Sequence, residues 1–152
     1  MKAVLLAAGK GTRMMPLTKD VPKVLVKVNG KPFLWYVFDL LTRAGVKDIG
    51  LVVGYKKEKI VGFLEKYGFK ATIIEQQEQK GTGDAIKSAR EFVGAEDFLV
   101  YHADGLYSEK DVARLVKEDE FCYIAGSKVE DWTQYGILVE EKGLLSEIKE
   151  KP

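Results

Sequence analysis

Four short apolar runs recur along the first two thirds of the chain, at residues 2–7 (KAVLLA), 49–53 (IGLVV), 71–75 (ATIIE) and 98–101 (FLVY). None alternates cleanly between apolar and polar residues, so each reads as a strand covered on both faces. The segments between them read as helices. Residues 32–44 (PFLWYVFDLLTRA) begin with a proline suited to a first turn, repeat apolar residues at Phe33, Val37, Leu40, Leu41 and Ala44, and stop at Gly45. Residues 56–67 (KKEKIVGFLEKY) set Ile60, Phe63, Leu64 and Tyr67 on one stripe before Gly68. A helix over 83–93 follows Thr82 as its expected cap, and Ser108 with Asp111 reads as a capping box for the next one. Strand–helix alternation of this kind predicts the α/β class, with an open, mostly parallel sheet and helices on both faces. Past residue 120 the pattern changes to short strand-like pieces at 123–126, 137–140 and 144–148, with a turn at Gly143 between the last two. No linker, repeat or low-complexity tract interrupts the chain, so residues 1–152 are expected to form one domain.

Charge narrows the partners. The 24 Lys and Arg residues against 23 Asp and Glu leave a formal net charge of +1, so no global field recommends nucleic acid or an anionic membrane. Any anion must be held locally. No apolar run approaches the roughly 18 residues of a membrane-spanning helix, and the N-terminal run is too short for a signal peptide, so a cytoplasmic protein is expected. The lone cysteine, Cys122, lies between Phe121 and Tyr123 and reads as a small core residue rather than a nucleophile.

The first strand runs into Gly9-Lys-Gly-Thr-Arg13. In an open α/β sheet ligands bind beyond the carboxyl ends of the strands, so residues 9–23 belong at the binding edge. Glycines at 9 and 11 allow positive φ and a close backbone approach, and inward N–H groups there would receive phosphate oxygens. Arg13 adds a guanidinium fork that suits a di- or triphosphate. A bare Gly-x-Gly is equally consistent with a simple turn. Two common nucleotide motifs are excluded. Met14 stands where the dinucleotide fingerprint needs its third glycine, Pro16 and Pro22 prevent a helix from starting directly after the glycines, and the Walker pattern is absent.

The ordered set Leu6-Ala-Ala-Gly-Lys-Gly-Thr-Arg-Met14, Pro16-Leu-Thr18 and Pro22-Lys23 resembles the N-terminal motif of the sugar-1-phosphate nucleotidyltransferases. The likeness continues through Gly30-Lys-Pro32, Ala44-Gly45, Val53-Gly-Tyr55, Gln76, Gly81-Thr82, Asp84-Ala85, Asp104, Tyr135-Gly136 and Glu150-Lys-Pro152, in the family's order. It implies a Rossmann-like sheet and transfer of a nucleotidyl group from a nucleoside triphosphate to a sugar 1-phosphate, releasing pyrophosphate. It further implies catalytic roles for Arg13, Lys23 and Asp104, with Asp104 holding Mg²⁺. By the same resemblance Leu6, Ala8, Gly9, Gly11, Thr12, Arg13, Gln76, Gly81 and Thr82 bind the nucleotide, and Tyr135, Gly136, Glu150 and Lys151 bind the sugar phosphate. Gln77 and Gln79 are neighbouring decoys for Gln76. A glutamine beside a glycine leans toward a pyrimidine donor, dTTP or UTP, and a homo-oligomer is compatible with the pattern.

The chain departs from the family at one motif position, where Ala103 replaces the usual glycine before the aspartate. If that glycine had positive φ or touched the ligand, alanine would crowd the nucleotide. His102 reads as a strand-end packing or hydrogen-bonding residue. Family members continue well past Glu-Lys-Pro and supply a second aspartate at the metal. The resemblance therefore leads to the expectation that this chain is the N-terminal portion of a longer enzyme, or a reduced protein that binds nucleotide better than it transfers it. A non-catalytic nucleotide-binding module and transfer to another phosphorylated acceptor are the competing readings.

Overall fold

The computed structural model describes residues 1–78, 80–117 and 119–150. These fall into two compact units, 1–119 and 120–152.

In the first unit four parallel strands, β1 (Lys2–Leu6), β4 (Asp48–Val53), β5 (Thr72–Glu75) and β6 (Phe98–His102), pair in the order β5-β4-β1-β6. The small strands β2 (Lys27–Val28) and β3 (Lys31–Pro32) form a separate hairpin. It joins through Asn29 (φ 47°) and Gly30 (φ 80°), and this two-residue turn with both φ positive matches the right-handed twist of its strands. The Asn-Gly signal was present in the sequence but absent from the expected elements.

Helix α1 (Phe33–Arg43) closes as its glycine predicts: Gly45 takes φ 81°, and the Val46 N–H reaches the Leu41 carbonyl at 2.9 Å. Helix α2 (Lys57–Tyr67) ends the same way at Gly68, with Phe69 N–H to the Leu64 carbonyl at 3.1 Å. The helix expected over 83–93 is two short ones, α3 (Thr82–Ser88) and α4 (Arg90–Val93), separated at Ala89. Thr82 is not the cap. Gly81, at φ 104°, precedes the helix without a side-chain cap, so the turn into it comes one residue earlier than expected. Helix α5 (Glu109–Leu115) is capped as predicted, for Ser108 Oγ accepts from Asp111 N–H at 3.1 Å. The same hydroxyl donates to the Asp111 carboxylate at 2.6 Å, so the return contact is made between side chains.

Both sheet faces are covered, unequally. Ala3, Leu5, Leu51, Val53, Leu99 and Tyr101 pack under residues of α1, α2 and α5, while Val4 and Val52 pack under Ala85 of α3, Val93 of α4 and Ala89 between them. The central strands are buried as expected. The edge strands are not, since Phe98 and Val100 of β6 and Ile73 of β5 are exposed.

In the second unit β7 (Gly136–Glu141) and β8 (Leu144–Glu150) form an antiparallel hairpin about Lys142 and Gly143, whose φ values are 52° and 82°. No strand forms at 123–126, and Cys122 is exposed rather than in a core, as are Phe121 and Tyr123 beside it. Among the described residues neither buried cluster includes Phe121, Cys122 or Tyr123.

Gly50 lets α4 lie against β4, because a Cβ there would stand 2.7 Å from the Phe92 ring and 2.8 Å from Ile74 Cδ1. Gly50→Ala is expected to destabilise the protein by about 1–3 kcal/mol through overpacking, measured by urea unfolding. Recovery in Gly50→Ala/Phe92→Leu would identify the ring as the obstacle.

Candidate functional site

Parallel pairing continues one residue beyond the strands and aligns three loops at the carboxyl edge of the sheet. Ala7 N–H bonds the Val52 carbonyl (2.8 Å), Gln76 N–H bonds that of Val53 (2.9 Å), and Ala103 N–H bonds that of Leu6 (3.2 Å). The segment from β5 to β6 passes β4 and β1 to reach the far side of β1, so the winding reverses beside β1. Open α/β sheets bind ligands at such a reversal.

A cavity of about 300 Å³ opens at this edge. Its lining includes the charged pair Lys23 and Asp104 together with His102. It also includes the apolar and amide groups of Leu6, Ala8, Ala85, Gln76, Gly81 and Thr82, and Gly9 lies on the lining too. That set of groups suits a flat heterocycle with a charged tail.

Gly11, Thr12 and Arg13 are placed outside this lining, on the loop above it. Of the two loop glycines only Gly11 has positive φ (65°), and it leads into the 3-10 turn Thr12–Met14. Thr18, 1% exposed, donates to the Gly11 carbonyl at 2.8 Å and pins the turn from beneath. A Cβ at Gly11 would meet Lys23 Cβ at 2.9 Å and Thr18 Cγ2 at 3.1 Å, whereas one at Gly9 would meet nothing within 4 Å. Gly11 is therefore required by the loop's own packing, and Gly9 leaves backbone open to a ligand. Arg13 is exposed. The far end of the loop is tied down from the α2 side. Tyr55 Oη and Lys56 Nζ both donate to the Lys19 carbonyl, at 3.0 and 2.6 Å, and Lys59 Nζ donates to that of Asp20 at 2.5 Å.

Lys23 and Asp104 come from sites 81 residues apart and meet at 2.5 Å, with side chains 34% and 41% exposed. Burial works to raise the Asp104 pKa, but the hydrogen bond and charge of Lys23 outweigh it and hold the carboxyl below its usual value. Among the described residues no cluster of three or more His, Cys, Asp or Glu side chains could hold a metal. One ionised carboxylate beside a cavity fits a hard cation held chiefly by substrate phosphates, as Mg²⁺ commonly is.

Ala103 does not crowd this cavity. It is fully buried in the hydrophobic core, its φ is not positive, and it is absent from the lining. His102, alternating with it, takes the cavity side. The period-two alternation of a strand carries that information, whereas the expectation of a packing or hydrogen-bonding role for His102 rests on the implied chemistry needing no strong general base. Gln76 is 6% exposed, and its amide donates to Asp84 Oδ2 at 2.8 Å.

Tyr135, Gly136 and Glu150 lie in the second unit. Tyr135 is 56% exposed, while Gly136 and Glu150 are paired across the hairpin. A Cβ on Gly136 would come 3.0 Å from Glu150 Oε2. Lys151 and Gln79 lie outside the described residues.

A sequence model of the family described as Nucleotidyl transferase matches residues 2–152. The UTP-glucose-1-phosphate uridylyltransferase AglF of Haloferax volcanii is 39% identical over all of this chain and 65% of its own length. The low-salt glycan biosynthesis nucleotidyltransferase Agl11 of the same organism is 37% identical over all of this chain and 45% of its length. Among solved structures, HddC from Yersinia pseudotuberculosis complexed with GMP-PN is 33% identical with a TM-score of 0.75, covering 99% of this chain and 69% of that one. The chain thus spans between 45% and 69% of the length of these relatives.

The Lys23–Asp104 pair gives a test by titration. Because the folded pKa of Asp104 is depressed, its stabilising contribution is present above the ordinary carboxylate value of about 3.9 and is lost as pH falls through the lower folded value. In Lys23→Met burial remains the largest influence, opposed only by the weaker backbone hydrogen bond and His102 contributions, and carboxyl ¹³C NMR should place Asp104 above its wild-type midpoint. An unmoved midpoint would show that the ion pair does not set it.

Proposed function

The chain belongs to the nucleotidyl transferase family, and from that premise we propose that it transfers a nucleotidyl group from a nucleoside triphosphate to a sugar 1-phosphate. The observation that carries this reading is a single cavity whose lining holds both the apolar and amide groups of Leu6, Ala8, Ala85, Gln76 and Gly81 and the Lys23–Asp104 pair. The reading also takes residues 1–152 as one nucleotidyltransferase domain, supported by the family match over 2–152. A cytoplasmic setting follows from the proposed substrates, since nucleoside triphosphates are held there.

In this reaction an oxygen of the sugar phosphate bonds to the α-phosphorus, and the bond from that phosphorus to the oxygen bridging the β-phosphate breaks. The electron pair leaves with pyrophosphate. Two anions must meet in line, so the protein's task is alignment and charge neutralisation. The base lies between Leu6, Ala8 and Ala85 with its edge toward Gln76 and Gly81, and Thr82 lines the same cavity. Gly9 allows the phosphates to approach backbone, while Gly11 and Thr12 shape the loop from which Arg13 reaches the leaving pyrophosphate. Lys23 supplies a point charge where the α-phosphate and the acceptor phosphate meet. Mg²⁺ at Asp104 would neutralise phosphate charge when bound. For a metal to use Asp104, that carboxylate must share or release Lys23, and a phosphate is the natural new partner for the ammonium group. Tyr135, Gly136, Glu150 and Lys151 are assigned to the sugar phosphate, the carboxylate accepting from hydroxyls and Lys151 gripping the phosphate. Among donors UTP and dTTP are favoured.

Incubation with nucleoside triphosphates, a panel of sugar 1-phosphates and Mg²⁺ should release pyrophosphate for at least one pair. Lys23→Ala should lower the rate on the order of 100-fold, with Arg13→Ala weakening turnover in the same direction. Turnover that survives both substitutions, in protein of unchanged fold, would remove them from the site. Nucleotide binding without pyrophosphate release for any acceptor would instead favour a binding module.

A further inference from the structure

We infer that Asp84 is a specificity-determining positioning residue. It fixes the amide of Gln76 so that the cavity accepts a base carrying a ring imino N–H, as in uracil, thymine or guanine. This inference deepens the nucleotide reading above and rests on it.

An amide side chain can present either its oxygen or its nitrogen to a ligand, and its partners decide which. Gln76 is buried to 6% exposure, so it has little freedom to choose a solvent-facing compromise. Its amide group lies 2.8 Å from Asp84 Oδ2. An ionised carboxylate only accepts hydrogen bonds, so the atom facing it must be the nitrogen. The other N–H of Nε2 points to the Gly81 carbonyl at 3.4 Å, and that carbonyl also accepts from Ala85 N–H at 3.2 Å. Both amide protons are thereby committed within the protein. What Gln76 retains for an occupant of the cavity is the acceptor Oε1.

The base edge that meets Gln76 must therefore donate. Uracil and thymine do so at N3–H and guanine at N1–H, each on the ring itself. Cytosine and adenine carry a bare ring nitrogen at the matching position, which would set one lone pair against another. Their donor on that edge is the exocyclic amine, and the ring must slide in its plane to bring it to Gln76. A buried acceptor left unpaired is costly, and sites built around a specific hydrogen bond reject analogues that lack it.

Asp84 is well placed for this task. It sits in the first turn of α3, and its own carbonyl accepts from Ser88 Oγ at 3.0 Å, so the turn that carries it is tied down. It does not line the cavity. It therefore acts on the base through Gln76 rather than by contact.

The test is the affinity of the chain for UTP, dTTP, GTP, CTP and ATP with Mg²⁺ by calorimetry, in wild type and Asp84→Asn. In wild type the best of the three imino nucleotides should exceed CTP and ATP by about tenfold or more. Asparagine can donate to Gln76 Oε1, which frees the glutamine amide to turn its nitrogen to the cavity. Asp84→Asn should then bind CTP or ATP more tightly than wild type does, narrowing the ratio. A merely structural role for Asp84 would weaken all five together and leave the ratio in place. A wild type that binds CTP or ATP as well as the imino nucleotides, or a folded Asp84→Asn with an unchanged ratio, would overturn this inference and leave the nucleotide reading standing. Binding of none of the five would overturn the nucleotide reading itself.

Discussion

Strand β1 is hydrogen-bonded on both sides, to β4 and to β6, and the arrangement of the first unit depends on that double pairing. A central parallel strand must be apolar on both faces, and the buried residues Ala3 to Leu5 meet the requirement. Every connection then has to cross a sheet face. The covering helices divide between the faces, and the loops are gathered at the carboxyl edge. The loop leaving β1, the turn after β6 and the segment after β5 consequently share one cavity wall. A site assembled this way draws residues from Leu6 to Asp104 without needing any two of them to be close in sequence.

The loop after β1 is held by packing at three places. Thr18 grips it beneath Gly11, Lys23 joins it to Asp104, and Tyr55, Lys56 and Lys59 fasten its far end. The solvent-accessible contacts among these, the Lys23–Asp104 ion pair included, contribute little to stability individually. Their effect is positional: they limit where the backbone N–H groups and Lys23 can stand. For the triphosphate proposed as ligand, a preset loop would avoid some of the ordering cost of association.

Much of the fold was legible because its signals are local. Gly45 and Gly68 sit where α1 and α2 close, and Ser108 caps α5, since each acts through its own backbone and its immediate neighbours. The same local chemistry explains the misses. Ala89 interrupts the segment expected as a single helix without any breaker residue, and Gly81 preempts Thr82 as the helix start because its φ lies beyond what threonine adopts readily. Ala103 and His102 show the limit in the site. Their residue types suggested a steric problem and a structural histidine, but strand alternation in the folded sheet puts the alanine in the core and the histidine on the cavity.

Residue type and short spacing were enough for the α/β order, the positions of the helix stops, and a glycine-bearing loop after β1 of the kind found in the nucleotidyl transferase family. That Lys23 faces Asp104 across 81 residues, and that the Gln76 amide is committed to Asp84, emerges from the folded chain alone. Such pairings are set by which strands lie side by side. Strand order is a product of long-range packing and crossover, which no local run of residues encodes.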